Sequence, residues 1–441
     1  MESEDLVATQ PVDTSICDSS FFSTQQSTAP QFWGKLYPVT RSLRPIDLAE
    51  NDVTIGMGGT CPFSNDVKGS LSENVSFQIT RKSEKTKGNW LKTVCRLHDN
   101  STPKGLLLNG RPIQGSILAK PLKTNDIISF PQRTTGHREA YVFIDSCNPI
   151  CDINVPAIVS RAYQISYRLG AGAFGEVFLA FDKDSCHPLA MKTILKSGLT
   201  NDDAKRHSKL INELNVLRSV NNPHLIQLVD VKEYKNDHFI FLEFMEGHDL
   251  SKRLNEKQAL EEKTAKLYFF QICKAVQYLH SKGIIHRDIK PANVLLASSE
   301  TDTIIKLTDF GLTKILTPST VMKTMCGTKM YAAPEILSGA GPYTGQVDVW
   351  SMGVLLYTCL CGSEPFSVAS HLIEKHIMRS LYVMPPDTWR KISVFAKNLV
   401  DMMLLLEPTE RIKVNEIMNY VWIKDTQMHA RLNKIYYRFG L

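Results

Sequence analysis

Several polar residues in the second half of the chain have the side chains that a phosphate-handling site needs. Asp288, Lys290 and Asn293 stand in the stretch IIHRDIKPANVLL, a charged island between two apolar runs, and Asp309 follows a β-type run. Carboxylate and amide oxygens are hard ligands that suit Mg²⁺. Together with Lys192, these residues indicate a site that gathers phosphate and metal charge around a transferred phosphoryl group.

The stretch GAGAFGEV, residues 170–177, has glycines at a spacing that lets a backbone approach a phosphate closely. This spacing opens the dinucleotide-binding fold, where the glycines lead into a helix. It also covers the phosphates of ATP where the glycines lie between two strands, and it occurs by chance in ordinary turns. The stretch alone leaves these three interpretations open.

A lysine and a glutamate stand in apolar surroundings. Lys192 lies in the β-type run PLAMKTIL, and Glu213 lies on the apolar face of the helical stretch KLINELNVL, 21 positions later. A buried lysine or glutamate is costly alone and much less so as a pair. We therefore expect the two side chains to meet.

The chain that must position these residues divides into parts with different patterns. Residues 1–35 are rich in Ser, Thr and Gln, and we expect them to be disordered. Residues 36–145 alternate short β-type runs with turns, which is typical of an all-β sandwich. A linker, 146–162, leads to residues 163–425, where β-type runs precede long amphipathic helices, and a tail, 426–441, follows.

The composition is that of an ordinary globular protein. Of the 441 residues, 43% are hydrophobic and 22% are charged, and the net charge of +6 is too small to indicate nucleic-acid binding. Ten cysteines are scattered without Cys-x-x-Cys pairs, which is typical of reduced thiols and not of a zinc site. The acidic start MESEDLVATQ lacks the features of a signal peptide, and the longest apolar run, GVLLYTCLCG, is too short to span a bilayer. We expect an intracellular protein that contacts neither membrane nor nucleic acid directly.

The third part of the chain resembles a eukaryotic-type protein serine/threonine kinase. The matching motifs, in order, are the glycine stretch 170–177, Ala190-Met191-Lys192, Glu213, His286-Arg287-Asp288, Asn293, Asp309-Phe310-Gly311 and Ala333-Pro334-Glu335. The resemblance implies an ATP- and Mg²⁺-dependent enzyme with a β-rich N-lobe and a helical C-lobe. With the sandwich in front, the whole chain is expected to be a multidomain α+β protein. A catalytically silent scaffold is disfavoured because all of the motifs are present.

The resemblance implies a role for each matching residue. Asp288 and Lys290 are the expected catalytic residues, Asp288 accepting the proton of the substrate hydroxyl and Lys290 steadying the γ-phosphate. Asn293 and Asp309 are expected to hold Mg²⁺. The expected ATP-binding residues are Leu169, Gly170, Ala171, Gly172, Ala173, Phe174, Gly175, Glu176, Val177, Lys192, Glu213, Glu243, Met245 and Asp249.

Within that set, the resemblance assigns adenine contacts to Leu169 and Val177, hinge backbone contacts to Glu243 and Met245, and the ribose to Asp249. Two further residues resemble structural anchors of the helical lobe. These are Asp348 and Arg411, the latter pairing with Glu335.

The segment between Asp309 and Glu335 carries several hydroxyl side chains, and Arg287 stands directly before Asp288. A phosphate can order such a segment by pairing with an arginine. By resemblance, Thr324 and Thr328 are the expected phosphorylation sites.

Residues 36–145 resemble a forkhead-associated (FHA) domain. Gly56, Gly105, Asn109 and Gly110 stand where that family has them. The resemblance implies binding to a phosphothreonine of a partner or of a second copy.

The expected phosphate pocket departs from the FHA pattern. Met57 stands where the family has a phosphate-binding arginine, and the stretch that contains Ser76 lacks the family's histidine. Without that arginine the site loses its strongest charge-assisted hydrogen bonds. Arg81, Lys82 or Lys68 could substitute; the alternative is a domain kept for dimer contacts or for packing on the kinase.

An FHA domain before this kinase resembles the checkpoint kinases. In that family, an upstream damage kinase phosphorylates Thr-Gln sites of the N-terminal tail, which here are Thr9 and Thr24. The resemblance implies a nuclear effector of the DNA-damage checkpoint that associates with itself and phosphorylates its own activation segment. An FHA kinase of another pathway, such as meiosis, is the alternative.

The substrate preference is left open by the sequence. Ala292 stands where the group often has a glutamate that binds a basic substrate residue, although Glu246 and Asp249 could supply acidic contacts. The last stretch, WIKDTQMHARLNKIYYRFGL, is basic and amphipathic. It fits a final helix of the lobe, with Trp422 in its core, better than a calmodulin-binding or nuclear-address segment.

Overall fold

The computed structural model describes residues 32–441, apart from 42, 57–75, 86–90, 102–104, 114–118, 132–137, 148–153, 173–174, 196–209, 212, 236, 311–313, 316–328, 340–343 and 370. Several residues named above lie outside the described residues: Thr9, Thr24, Met57, Lys68, Ala173, Phe174, Gly311, Thr324 and Thr328.

The first part of the described chain is all β. Its strands are β1 Gly34–Pro38, β2 Ile46–Leu48, β3 Asp52–Gly56, β4 Ser76–Lys85, β5 Leu91–Asp99, β6 Leu107–Leu108, β7 Arg111–Pro112, β8 Ala119–Leu122, β9 Ile127–Pro131 and β10 Arg138–Asp145. They form two antiparallel sheets, in the orders β2-β1-β10-β9-β6-β7 and β3-β4-β5-β8.

The two sheets pack face to face because alternate residues of their strands are apolar. Leu36 and Phe143 from one sheet share a buried cluster with Ile79 from the other. The rings of Phe77 and Phe130 lie 6.1 Å apart across the layer. This arrangement is a sandwich, in which inward side chains of both sheets build one core.

The second half of the predicted linker belongs to the following unit. A short helix, Ala157–Ser160, precedes the next sheet, and Val159 is fully buried against Tyr163 and Ile165. Burial of this valine ties the connection to the lobe it enters.

The next unit begins with a five-stranded antiparallel sheet. Its strands are β11 Tyr163–Gly172, β12 Gly175–Asp182, β13 Pro188–Ile194, β14 Leu228–Tyr234 and β15 Asp237–Glu243, in the order β11-β12-β13-β15-β14. A helical segment, residues 213–219, lies between β13 and β14 in the chain.

A helical lobe follows this sheet. Its helices are Leu250–Lys257, Glu262–Ser281, Pro334–Ser338, Gln346–Cys361, Ile373–Ile377, Pro386–Trp389, Val394–Met403, Val414–Ile417 and Thr426–Phe439, with one 3₁₀ turn at Pro291–Asn293. Two small strand pairs sit among them, β16 Ile284–Ile285 with β19 Lys314–Ile315, and β17 Val294–Leu296 with β18 Ile305–Leu307. The predicted order, a sheet-containing lobe before a helical lobe, is confirmed.

The last helix packs on the lobe. Met428, Leu432 and Ile435 of Thr426–Phe439 are buried in the lobe core, and Nε2 of His224 lies 2.6 Å from the Tyr436 hydroxyl. This packing favours the interpretation as a final lobe helix for the residues that we predicted as a tail. Among the described helices, none is long and apolar enough to cross a membrane.

The sandwich packs directly on the sheet of the following lobe. Tyr37 of β1 stacks on Phe181 of β12 with ring centroids 4.7 Å apart. Val142 and Ile144 of β10 point to the same cluster, and the Ser166 hydroxyl donates to Asn125 Oδ1 at 2.8 Å. Strands β1 and β10 are therefore buried on both faces.

Candidate active site

The glycine stretch forms two paired strands and their turn. Gly170 lies opposite Val177, and Gly172 lies opposite Gly175. Because no helix follows the glycines, the dinucleotide interpretation is wrong for this chain. Gly175 is required by sterics, since a Cβ at this position would lie 1.7 Å from the carbonyl oxygen of Thr193.

The lysine and the glutamate that we expected to meet form an ion pair. Lys192 lies on β13, opposite Val177 of the glycine hairpin. Its Nζ is 2.7 Å from Glu213 Oε1, and the two side chains are 15% and 6% exposed. A pair this buried fixes the ammonium group at the base of the glycine hairpin, where it can contact a phosphate.

The loop that carries Asp288 is anchored from below by Asp348. This carboxylate is fully buried and accepts from the backbone N–H groups of His286 at 3.0 Å and Arg287 at 2.8 Å. His280 Nε2 lies 2.8 Å from the same group. Burial raises the pKa of Asp348, but the hydrogen bonds and charge of His280 and its other neighbours outweigh it, so the pKa lies below its ordinary value.

Asp288 sits at the centre of the loop with its two oxygens in different environments. Oδ2 is held by Lys290 Nζ at 2.7 Å and by Asn293 Nδ2 at 2.9 Å. Oδ1 is buried and has no hydrogen-bond partner within the described part of the chain. A buried carboxylate oxygen without a partner is costly. The site is therefore suited to a ligand hydroxyl that donates to Oδ1.

The two predicted metal ligands are brought together by backbone bonding. The Thr308 N–H donates to the Asn293 carbonyl at 3.0 Å, which places Asp309 beside the Asn293 loop. The Asn293 amide nitrogen is used by Asp288, which leaves its side-chain oxygen for a cation.

These donors fit Mg²⁺ in a particular way. Within the described residues, no group of three or more His, Cys, Asp and Glu side chains could hold a metal ion. Mg²⁺ commonly takes one or two carboxylates and completes its octahedron with substrate phosphates and water. Asn293 and Asp309 therefore fit a Mg²⁺ that arrives with a nucleotide and would hold it on the protein side.

The structure constrains the predicted nucleotide contacts at the other end of the site. The Glu243 N–H donates to the Gln227 carbonyl at 3.1 Å, so this N–H group is not available to adenine. Met245 is buried, while Leu169 is partly exposed at the mouth of the hairpin. Asp249 caps the helix Leu250–Lys257 through Oδ1, which accepts from the Lys252 N–H at 3.0 Å. Its Oδ2 is the atom left for a ribose hydroxyl.

Sequence reasoning missed that Glu246 faces the sandwich. The Thr40 hydroxyl donates to Glu246 Oε1 at 3.5 Å, and Arg41 lies 3.9 Å from Glu243 Oε2. Burial raises the pKa of Glu246 to about 7. The residue proposed as an acidic substrate contact is thus engaged by the N-terminal domain.

The Arg411 anchor has the predicted partner. Its guanidinium is fully buried and forms two hydrogen bonds with the Glu335 carboxylate, at 2.9 Å and 3.2 Å. A bidentate pair of this kind fixes the helix Pro334–Ser338 to the base of the lobe.

The sandwich edge that resembles an FHA pocket is only partly described. Gly56 pairs with Ser76, and the Ser101 hydroxyl donates to the Ser76 carbonyl at 3.1 Å. Arg81 stands five residues further along β4, roughly 17 Å from Ser76 at the rise of a strand, and its guanidinium lies over the Trp33 ring. Arg81 and its neighbour Lys82 are therefore far along the strand from Gly56 and Ser76, which does not favour either as a substitute for the phosphate-binding arginine.

Comparison with known proteins agrees with this geometry. The family described as "Protein kinase domain" matches residues 163–423. The ovarian-specific serine/threonine-protein kinase Lok of Drosophila melanogaster is 33% identical over 408 residues, 90% of this chain and 84% of Lok. The probable serine/threonine-protein kinase fhkE of Dictyostelium discoideum is 34% identical over 397 residues, 88% of this chain and 54% of that protein. The human calcium/calmodulin-dependent protein kinase type 1B is 38% identical over 266 residues, 60% of this chain and 76% of that protein.

Proposed function

This chain belongs to the protein kinase family and is a serine/threonine protein kinase, and on that premise we propose that it is a nuclear effector of a DNA-damage or replication checkpoint. The observation that carries the proposal is the reach of the similarity to Lok. It runs over 408 residues, whereas the kinase domain match spans residues 163–423, so it includes much of the sandwich. The Thr-Gln pairs at Thr9 and Thr24 precede that sandwich.

The phosphoryl transfer follows from the arrangement around Asp288. Bound ATP and Mg²⁺ supply the γ-phosphoryl group and the charge that offsets its oxygens. Asp288 Oδ1 accepts the proton of a substrate hydroxyl, whose oxygen bonds to phosphorus as the bond to the ADP oxygen breaks. Lys192 and Lys290 bind phosphate oxygens, and Asn293 orients Asp288. Most of the rate enhancement then comes from positioning and charge, because the protein does little covalent work.

Activation is proposed to begin outside the kinase domain. A Thr-Gln-directed kinase phosphorylates Thr9 and Thr24, two copies of the chain associate, and each phosphorylates Thr324 and Thr328 of the other. Phosphates on this segment are then paired by arginine side chains such as Arg287, which precedes Asp288. Protein substrates and the upstream kinase are the remaining partners.

The sandwich supports two roles in this scheme. FHA-like binding of phosphothreonine is favoured by the resemblance, and Asn109 holds the corresponding turn through Asp126, at 2.7 Å. A packing role on the kinase is favoured by a direct observation, the stacking of Tyr37 on Phe181. The distance of Arg81 from Ser76 along β4 weakens only the first role.

The full-length chain tests the activation scheme. We would treat it with a purified Thr-Gln-directed kinase and measure peptide phosphorylation and sedimentation, beside a Thr9→Ala/Thr24→Ala variant and a Thr324→Ala variant. We expect treatment to raise the activity of the wild type about tenfold or more, equivalent to about 1.4 kcal/mol, and to produce a dimer.

The variants identify which step fails. The tail variant should keep its basal activity and neither dimerise nor be activated, whereas Thr324→Ala should dimerise without activation. Equal activation of the tail variant would disprove the checkpoint scheme and leave the kinase activity itself untouched. A Thr24-phosphorylated peptide that binds the chain no better than its unphosphorylated form would remove the phosphothreonine role of the sandwich. Activation by a kinase of a meiotic pathway instead would support the alternative pathway.

A further inference from the structure

A large concavity lies on the helical lobe, and none of its lining residues belongs to the active site. This C-lobe groove has a volume of about 690 Å³. It lies between the end of the helix Leu250–Lys257, the start of the helix Glu262–Ser281, the turn 301–302 and the start of the helix Thr426–Phe439. The proposed function leaves this groove without a role.

The charges that line the C-lobe groove are unequal. Four cations and three carboxylates line it, and each carboxylate is already paired. Lys263 Nζ is 2.8 Å from Glu261, Arg431 is 2.5 Å from Asp302, and Lys266 is 2.6 Å from Asp425. The carboxylates of the groove therefore leave two of its cations uncompensated.

Those two cations are Arg253 and Lys257. Arg253 is 8% exposed, and its guanidinium donates to the Tyr268 hydroxyl at 3.0 Å and to backbone carbonyls of residues 298–300, all neutral acceptors. Lys257 is exposed and has no ion pair within the described chain. A buried cation without a counter-charge is costly, so an anion placed here is favoured.

The cations of the C-lobe groove affect Glu261, one of the carboxylates that line it. The pKa of Glu261 lies below its ordinary value although the side chain is 71% exposed. The hydrogen bond and charge of Lys263 contribute most, followed by the charges of Arg431 and Lys257. A second carboxylate that enters the C-lobe groove meets the same cations.

The chain itself contains a segment with the complementary charge. Residues 1–31 carry five carboxylates and no Lys, Arg or His. Fully extended, 31 residues span about 100 Å, which exceeds several times the radius of gyration of roughly 22 Å expected for a compact chain of this size. The segment is therefore long enough to reach the C-lobe groove from Phe32, where the described chain begins.

We propose that the C-lobe groove binds the acidic N-terminal segment 1–31 of the same chain. The carboxylates of the segment lie near Lys257 and Arg253, and its apolar side chains lie against Leu260 and Met428. The argument for this docking does not rest on the checkpoint scheme, although the segment contains Thr9 and Thr24, and the docking uses no residue of the active site.

Zero-length carbodiimide cross-linking of the full-length chain tests the proposal, because it joins a carboxylate only to an amine in contact with it. We expect mass spectrometry to find links from Glu2, Glu4, Asp5, Asp13 or Asp18 to Lys257 and Lys263. Lys282 is the matched control, since it directly follows the helix Glu262–Ser281 that carries Lys263 and is roughly 28 Å from Lys263 at 1.5 Å per residue. Links to Lys257 and Lys263 should exceed links to Lys282 by about tenfold and disappear at about 0.5 M salt, where surface charges are screened.

A variant separates docking from simple reactivity. Lys257→Glu should reduce the links to Lys263 by about fivefold, whereas Lys282→Glu should leave them unchanged. Both lysines are exposed, so we expect both variants to fold and to keep the basal kinase activity of the wild type. An equal mixture of ¹⁴N and ¹⁵N chains shows whether a link joins one chain or two. Three results would each overturn the proposal: links to Lys282 as frequent as those to Lys257 and Lys263, links to Lys263 that are unchanged in Lys257→Glu, or links that join different chains. In the last case a second copy of the chain would fill the groove.

Discussion

The two carboxylate oxygens of Asp288 have different environments, and the proposed chemistry uses one of them. Oδ2 is held by Lys290 and Asn293, while Oδ1 is buried and, in the proposed mechanism, accepts the substrate proton. Replacing Asp288 with Asn keeps the size of the side chain and one oxygen that can accept from Lys290 and Asn293, but it removes the negative charge and the proton acceptor. We expect kcat to fall by about 10²–10⁴, the usual contribution of a general base.

The matching control is nucleotide binding. Asp288→Asn should bind a non-hydrolysable ATP analogue with Mg²⁺ about as well as the wild type does, as measured by calorimetry. A variant that retains its turnover would show that the substrate proton leaves by another route.

Asp348 works as a positioning residue beneath the same loop. Asp348→Ala leaves the N–H groups of His286 and Arg287 and the ring of His280 without their acceptor. Each buried group left unsatisfied costs about 1–3 kcal/mol, so we expect a loss of roughly 3 kcal/mol or more in the free energy of unfolding, measured with denaturant.

The pH dependence gives an independent check on Asp348. Because its pKa is lowered in the folded state, its stabilisation is present above its ordinary pKa of 3.8 and is lost as the pH falls through the folded value. The difference in stability between wild type and Asp348→Ala should therefore shrink in acid. Asp387→Ala, whose side chain is 98% exposed, should change neither stability nor its pH dependence.

Much of the site could be predicted at the level of single residues. The Lys192–Glu213 pair follows from two charges in apolar runs, and the loop residues follow from their spacing. The dual use of Asp249 as a helix cap could not be predicted, because capping depends on where the helix begins in space. The contact of His280 with Asp348 joins residues 68 positions apart, and a single histidine near a helix end carries no sequence signal for it.

At the level of elements, the hinge after β15 is a contact between domains. Glu246 sits there against Thr40, with Arg41, Glu139 and Glu300 as its charged neighbours. Burial raises its pKa from 4.5 to about 7. A carboxylate with a raised folded pKa favours the fold at low pH, and that contribution is lost as the pH rises from about 4.5 through 7.

Glu246→Gln should remove this dependence. At pH 8 the variant should be more stable than the wild type by about 1–3 kcal/mol, since one pKa unit corresponds to about 1.36 kcal/mol. At pH 4 the two proteins should have similar stability. Denaturation at both pH values measures the difference, and an equal difference at the two would contradict the assignment.

The positions of the strands and helices could be predicted better than the elements against which they pack. Alternating apolar runs predict the sandwich strands, and the amphipathic period favours a final helix in the last stretch, which the structure places at Thr426–Phe439. The apolar residues on the outer face of β10 do not identify the element that covers them. A strand buried on both faces has a continuous apolar sequence, and that pattern is the same for any neighbouring element. Only the structure places Val142 and Ile144 on the kinase sheet.

At the scale of the whole molecule, the sandwich and the kinase form a continuous structure. Tyr37→Ala removes the ring that stacks on Phe181 and opens a gap between the two units. Loss of a buried aromatic ring costs about 3–5 kcal/mol. We expect the variant to show two separated thermal transitions in calorimetry where the wild type shows overlapping ones.

Tyr437→Ala is the control for this change, because Tyr437 is 91% exposed on the last helix. It should leave the thermal profile of the wild type unaltered. A Tyr37→Ala profile identical to that of Tyr437→Ala would mean that the stacked pair contributes little to holding the two units together.

The double burial of β1 and β10 also determines what a freed sandwich would be like. Tyr141 and Phe143 face its own core, whereas Tyr37, Val142 and Ile144 face the kinase. If the sandwich separated from the kinase, Tyr37, Val142 and Ile144 would become exposed and form an apolar stripe on its surface. Exposed apolar patches of this kind bind other proteins. We therefore expect the isolated sandwich to be poorly suited to expression by itself. In the cell, a sandwich separated from its kinase would be bound by chaperones unless the same stripe of another copy covered its apolar stripe.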